Sequence, residues 1–284
     1  MQSRFDLRRC LDLNDACVLW CTIAELDGPG FERLINDLRL GVLGEDEFER
    51  VLRYRVLDDR KRSLLSVLLV KFALMSYYDI SPIEVKIVRE GGLKPFFKYR
   101  TEENRQIHFN VSHDEDVVIV ILSKYEVGID IMKSELPLRS RRPDSSVEES
   151  TERFLSNMKS TFQPSEWEYI QRDISRFMHY WTIKESFVKY TGMGLYIDPK
   201  RLLIISKRTA GDCSSSDSSL TLLEKTRICM DSEVQNCEIY SSNTIVTDYY
   251  VSFCLPRDRS ENPSAHSSAI AEPPPSFDQF IHPF

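Results

Sequence analysis

One order of elements occurs twice in this chain, a long helix followed by closely spaced strands, and it restricts the fold more than any other feature. The first helix is "DDRKRSLLSVLLVKFALMSYY" (58–78), where Leu64, Leu65, Leu68, Phe72 and Met75 fall at helical spacing. "IEVKIVREGGLKPFF" (83–97) then reads as a strand, a glycine turn and a continuation. In "IHFNVSH" (107–113) Ile107, Phe109 and Val111 face one way, and His108, Asn110 and Ser112 the other. "VVIVILS" (117–123) and "VGIDIM" (127–132) continue as strands, which predicts an antiparallel meander. In the second half, "QPSEW" (163–167) starts a helix with Ser165 as N-cap, and a longer helix over about 178–190 ends at Gly192 and Gly194. "RLLIIS", "KTRICM", "CEIYSS" and "DYYVSFCL" follow as strands. The expected class is α+β: two similar lobes in a pseudo-twofold arrangement, each with an antiparallel sheet and a long helix. Residues 1–132 and 133–256 form the lobes, and 257–284, rich in Pro and Ser, is expected to be a disordered, dispensable tail.

A length of 284 residues is enough for two such cores. The net charge of −7 argues against a chain that coats nucleic acid or anionic membrane. No apolar run is long enough to span a bilayer, and the charged start "MQSRFDLRRCLDLNDAC" is no signal peptide. The seven cysteines form no C-x-x-C pair and no zinc-ligand spacing, which suits reduced thiols in a cytoplasmic compartment. The sequon "NVS" (110–112) and the string "DSSL" (217–220) in a Ser-rich loop are read as coincidences of composition.

Three placements call for chemistry. Glu185 and Lys189, four apart on a helix, share one face and form either an ordinary surface ion pair or part of a site. Arg60, Lys61 and Arg62 crowd a helix start, where they oppose the macrodipole; they are a solvated end or face an anion. Asp130 lies in an apolar strand, sharing a face with Gly128 and Met132, and is costly to bury without a partner or a cation. A strand Asp facing a helix Glu makes the small oxygen-ligand site that magnesium accepts.

"FNVSH", then Asp130 in "GIDIM" twenty residues after Asn110, then "WTIKESFVKYTGMGL", together resemble the signature of the 4′-phosphopantetheinyl transferases. The likeness is to the monomeric, two-lobed surfactin-type class, which includes the eukaryotic aminoadipate-semialdehyde-dehydrogenase transferases, and it spans roughly residues 50–205. The resemblance implies transfer of 4′-phosphopantetheine from coenzyme A to a serine of an apo carrier protein, releasing 3′,5′-ADP. It implies Mg2+ on Asp130 and Glu185, Glu185 as the group that takes the serine proton, and Lys189 on the pyrophosphate. It also implies coenzyme A contacts from His113, Ser112 and Asn110 at one strand end, from Arg89 and Lys94 around "EGGL", and from Arg60, Lys61 and Arg62. The site is expected between the lobes. Trp181 is expected at the lobe interface, and Lys184 at phosphate or solvent.

One position departs from the common pattern. Many relatives carry Glu where this chain has Met132, and a thioether does not replace a carboxylate on magnesium. The eukaryotic subgroup resembles the "GIDIM" form. The alternative reading is a non-catalytic protein that binds coenzyme A or carriers. A metal nuclease fits less well, because its Glu and Lys stand two apart on a strand. Acyl-carrier, peptidyl-carrier and aminoadipate-reductase carrier domains all remain open as partners, with no nucleic acid or membrane among them.

Overall fold

The structure is a computed structural model that describes residues 7–13, 15–26, 30–89, 94–97, 106–137, 140, 144–206, 223–259 and 269–271. The serine-rich segment 209–220, the glycine turn 90–93 and most of the tail lie outside the described residues. The chain divides into two compact units, residues 1–127 with 260–284, and residues 128–259.

The first unit is built on β1 (Ala16–Thr22), β4 (His108–Asp114) and β5 (Val117–Ser123), with β5 in the middle and antiparallel to both neighbours. A short hairpin of β2 (Ile87–Val88) and β3 (Phe96–Phe97) stands apart. Helices α1 (Leu7–Leu13), α2 (Phe31–Arg39) and α3 (Glu45–Leu52) precede the long α4 (Leu57–Tyr78). Leu64, Leu65 and Leu68 of α4 share one core with Cys17 and Leu19 of β1 and Val118, Val120 and Leu122 of β5. Lys71 of α4 is buried in that core. Its ammonium pairs with Glu47 of α3 at 3.0 Å and donates to the carbonyls of Val85 and Pro82.

The second unit holds β6 (Gly128–Lys133), β7 (Leu202–Ser206), β8 (Glu224–Met230), β9 (Glu233–Val234), β10 (Cys237–Ser242) and β11 (Tyr249–Pro256). Its order is β6-β11-β10-β8-β7 with β9 beside β8, antiparallel throughout. Helices α5 (Val147–Met158) and α6 (Pro164–Ile170) lead to α7 (Ile174–Thr191). The carboxylate of Asp173 caps α7 at its start, and Gly192 ends it at φ 70°, a left-handed conformation that glycine adopts without penalty. Ile183, Phe187 and Val188 pack on Ile228, Ile239 and Cys254 of the sheet. Phe177 and Met178, toward the start of α7, pack on Leu155, Phe162 and Ile170. No described helix is long and apolar enough to cross a membrane.

Four features depart from the sequence reading. First, β6 does not continue the first meander but pairs with β11, Asp130 opposite Ser252. The reason is occupancy, since both edges of β5 are already taken by β1 and β4. Second, α6 is capped at Gln163, not Ser165: Pro164 fills the first helical position, and the Glu166 carboxylate accepts from the Gln163 amide. Third, α1, β1, α2 and α3 fill a region that the sequence left blank. "ACVLWCT" is buried along nearly its whole length, so it shows no alternation to read. Fourth, residues 269–271, inside the stretch expected to be disordered, form β12 (Ala269–Ala271), parallel to β1 at the sheet edge.

Helix α7 runs against β6 with almost no space between them. A Cβ at Gly128 would lie 2.2 Å from the Ser186 carbonyl oxygen and 2.3 Å from the Tyr190 nitrogen. Both obstacles are backbone and cannot rotate away. Gly128→Ala is therefore expected to destabilise the protein by about 3 kcal/mol or more, at or beyond the top of the overpacking range, read as a fall in urea midpoint.

In the first unit, Glu126 is hydrogen-bonded by His108 and paired with Lys94 at 3.1 Å. The His108 contact is the main cause that takes its carboxyl down from 4.5 to about 2, with Lys94 adding to it. A depressed carboxyl contributes stability that is present above its unfolded value and lost as pH falls toward the folded one. Glu126→Gln should therefore lower the melting temperature at neutral pH and flatten its further loss between about pH 4.5 and pH 2.

Candidate active site

The absent Cβ of Gly128 lets α7 lie against β6, and the side chains beyond it inherit that closeness. Two residues along the same strand face, Asp130 meets α7 at Lys189, whose ammonium donates to Asp130 Oδ1 at 2.7 Å. Asp130 is 5% exposed, whereas the Lys189 side chain, in the last turn of α7, is 28% exposed. Glu185, one turn before Lys189 and half-buried, belongs to the same cluster. Burial pushes its carboxyl above the usual range, the charge of Asp130 pushes it further, and Lys189 opposes both. Two carboxylates and one ammonium thus converge from β6 and α7.

Among the described residues no group of three or more His, Cys, Asp or Glu side chains could hold a metal ion. Asp130 and Glu185 are two hard oxygen donors, and the charge of Asp130 disfavours the charged form of Glu185. A cation between them would relieve that repulsion. This donor set suits magnesium, which takes one or two carboxylates and completes its shell with water and substrate phosphate. Met132 sits on the same strand face but packs against the aromatic cluster around Phe162 and Phe177. Its side chain is an apolar contact of this core.

The other residues of the "WTIKES" helix serve elsewhere. Lys184, expected at phosphate or solvent, is fully buried and paired with Glu166 at 2.7 Å. Trp181 stacks on Phe177, with centroids 5.9 Å apart and planes 11° apart.

In the first unit, a cavity of about 260 Å³ is lined by Arg89, Asn110 and His113 together with Arg50 and Tyr54. Arg89 is pulled below its usual value, first by burial and then by the facing charge of Arg50. Two cations held near each other over a polar strand end make an anion-binding surface. Sequence reading missed Arg50, because α3 was not recognised and a lone Arg carries no motif. The remaining basic candidates do not line this cavity. Arg62 binds Asp59 and the Glu115 carbonyl, Arg60 binds Glu32 and the Tyr54 carbonyl, and Lys94 binds Glu126 and the Val127 carbonyl. Lys61 and Ser112 are buried. The anion expected near the start of α4 is supplied at least in part by Asp59 and Glu32.

Residues 36–125 match the sequence model described as 4′-phosphopantetheinyl transferase, N-terminal, and residues 126–254 match that of the 4′-phosphopantetheinyl transferase superfamily. A phosphopantetheinyl transferase of Thraustochytrium sp. is 30% identical over 164 residues, 54% of this chain and 54% of the relative. An L-aminoadipate-semialdehyde dehydrogenase-phosphopantetheinyl transferase of Rattus norvegicus is 25% identical over 218 residues, 74% of this chain and 66% of the relative. A 4′-phosphopantetheinyl transferase of Aneurinibacillus migulanus is 30% identical over 156 residues, 55% of this chain and 58% of the relative. These matches span between about half and two thirds of the relatives' own length. The two adjoining matches cover most of the described fold, and their junction falls beside the division between the units. The chain belongs to the 4′-phosphopantetheinyl transferase superfamily.

Proposed function

We propose that this protein transfers 4′-phosphopantetheine from coenzyme A to a serine of an apo carrier protein. The observation that carries the reading is the convergence of Asp130, Glu185 and Lys189, with Lys189 and Asp130 2.7 Å apart, in a chain of this superfamily. Asp130 and Glu185 would hold Mg2+, which when bound supplies neutralisation of pyrophosphate charge and orientation of the reacting groups. Glu185 accepts the proton of the attacking serine hydroxyl. The serine oxygen bonds to the β-phosphorus as the bond from that phosphorus to the oxygen of 3′,5′-ADP breaks. Lys189 neutralises charge on the departing phosphate. Arg50, Arg89, Asn110 and His113 suit the phosphate-bearing nucleotide end of coenzyme A.

The aminoadipate-semialdehyde dehydrogenase named for several relatives makes its carrier domain the first substrate to try, followed by acyl- and peptidyl-carrier proteins. A cytoplasmic location, supported by the cysteine pattern, and a monomeric state, supported by the resemblance to the monomeric two-lobed class, complete the proposal. The test is incubation of the full chain with coenzyme A, Mg2+ and a panel of apo carriers, each then weighed by mass spectrometry. Coenzyme A binding without any mass gain would favour the non-catalytic alternative.

Glu185→Gln should abolish turnover at every Mg2+ or Mn2+ concentration, since loss of a general base alone costs about 10²–10⁴-fold. Met132→Glu should stay active, with a changed preference between the two metals, because Met132 supplies no oxygen ligand. Retention of more than about a tenth of wild-type rate in Glu185→Gln, short of that range, would remove Glu185 from the proton-accepting role.

His113→Ala and Arg89→Ala should raise the KM for coenzyme A with kcat nearly unchanged. A charge-assisted contact at the nucleotide end is worth about 1.5–3 kcal/mol, or roughly 10–200-fold. A loss confined to kcat would move both residues to the reacting centre.

A further inference from the structure

Glu185 can serve the proposed chemistry only if α7 is rotated so that it faces Asp130. The Gly128 contact fixes how closely the helix approaches the strand, but it is a contact of backbone atoms with empty space and has little directional content. On the sheet side, α7 also makes directional contacts, His179 with Ser241 at 2.9 Å, Thr182 with Ser252 at 2.8 Å and Lys189 with Asp130 at 2.7 Å, but the ion pair of α7 whose two side chains are both buried lies on another side of the helix. Lys184 is 0% exposed and Glu166 2% exposed, and their charged atoms are 2.7 Å apart. The Lys184 ammonium also donates to the Pro199 carbonyl at 3.0 Å and lies 4.5 Å from the centre of the Phe162 ring. Glu166 in turn accepts from the Gln163 amide at the start of α6 and from the Ile204 amide of β7. One buried carboxylate thereby ties α6, β7 and α7 together. Successive helix side chains project about 100° apart, so fixing Lys184 fixes Glu185.

We propose that the buried Lys184–Glu166 pair is the positioning element that sets the rotation of α7 and so aims Glu185 at Asp130; this rests on the transfer reaction proposed above. The first unit repeats the device. Glu47 stands at the third position of α3, accepts from the Gly44 amide, and pairs with buried Lys71 of α4. There the residue one turn beyond Glu47 is Arg50, which lines the cavity. A buried ion pair contributes little net stability over a well-packed apolar pair of similar volume, but it is directional where an apolar contact is not. The two pairs should therefore control different kinetic constants.

Either lysine substitution alone strands a buried carboxylate, so the test uses paired substitutions in the full chain. Glu166→Gln with Lys184→Met is expected to keep cooperative thermal unfolding while kcat falls about tenfold or more, as sub-ångström misplacement of a reacting group does. Its KM for coenzyme A, measured at saturating Mg2+, should stay within about threefold of wild type, because the contacts to the nucleotide end are untouched. Mn2+ affinity, read by electron paramagnetic resonance without substrate, should weaken in step. Glu166→Gln alone keeps the volume and one acceptor, and should show the same split at smaller size. Glu47→Gln with Lys71→Met should do the reverse, raising KM and sparing kcat. Unchanged kcat and Mn2+ affinity in the Glu166/Lys184 variant would overturn the proposal, as would equal losses of both constants in both pairs. A wild-type chain that binds Mn2+ but modifies no carrier overturns the proposed function, and the Mn2+ measurements then decide the positioning role alone.

Discussion

The close approach of α7 to β6 over Gly128 is the constraint on which the candidate site depends. Glycine is the only residue that leaves room for the Ser186 carbonyl and the Tyr190 amide at that distance. Once the two elements touch, the pleat of the strand and the pitch of the helix do the rest. Two residues along β6, Asp130 reaches Lys189, and the charge of Asp130 acts on Glu185 one turn earlier. Replacing the glycine would separate strand from helix and leave a nearly buried carboxylate with its cation farther away.

The two units solve the same problem with the same parts. In each, the first strand lies beside the last strand of its meander, which lies beside the strand before it: β1-β5-β4 and β6-β11-β10. In each, a short helix presents a glutamate that accepts from its own cap and pairs with a buried lysine on the long helix. The sequence trace of this device is "EFERV" at 47–51 and "EWEYI" at 166–170. The residue after the buried lysine is Phe72 in the first unit and Glu185 in the second. One scaffold therefore carries an apolar core contact at that place in one unit and an acid in the other.

Met132 shows how the same strand face serves two purposes. Asp130 engages the charged part of α7, whereas two residues on Met132 joins the aromatic cluster formed by the start of α7 and its neighbours. A glutamate at 132 would leave that cluster or be buried within it. At Met132 the strand face is given over to packing, and Asp130 is the carboxylate of this face that meets α7.

The long helices, the strands 107–113 and 117–123 and the C-terminal strands were legible from sequence, because periodicity and caps are local. So was the sharing of one helix face by Glu185 and Lys189, which spacing sets; that Asp130 meets that face was expected from the family resemblance, not from spacing. Lys184 was not legible: a lysine beside a glutamate on a helix looks solvated until Glu166, eighteen residues earlier, is seen folded against it. Arg50 was equally hidden, since only the packing of α3 on α4 brings it beside Arg89. The sequence also gave no sign that β6 leaves the first meander, because strand partnership depends on which sheet edges are free. Local spacing determined which residues share a face. Tertiary structure alone decided what each face meets, because contacts between distant segments are set by packing and by the pairing of buried charges.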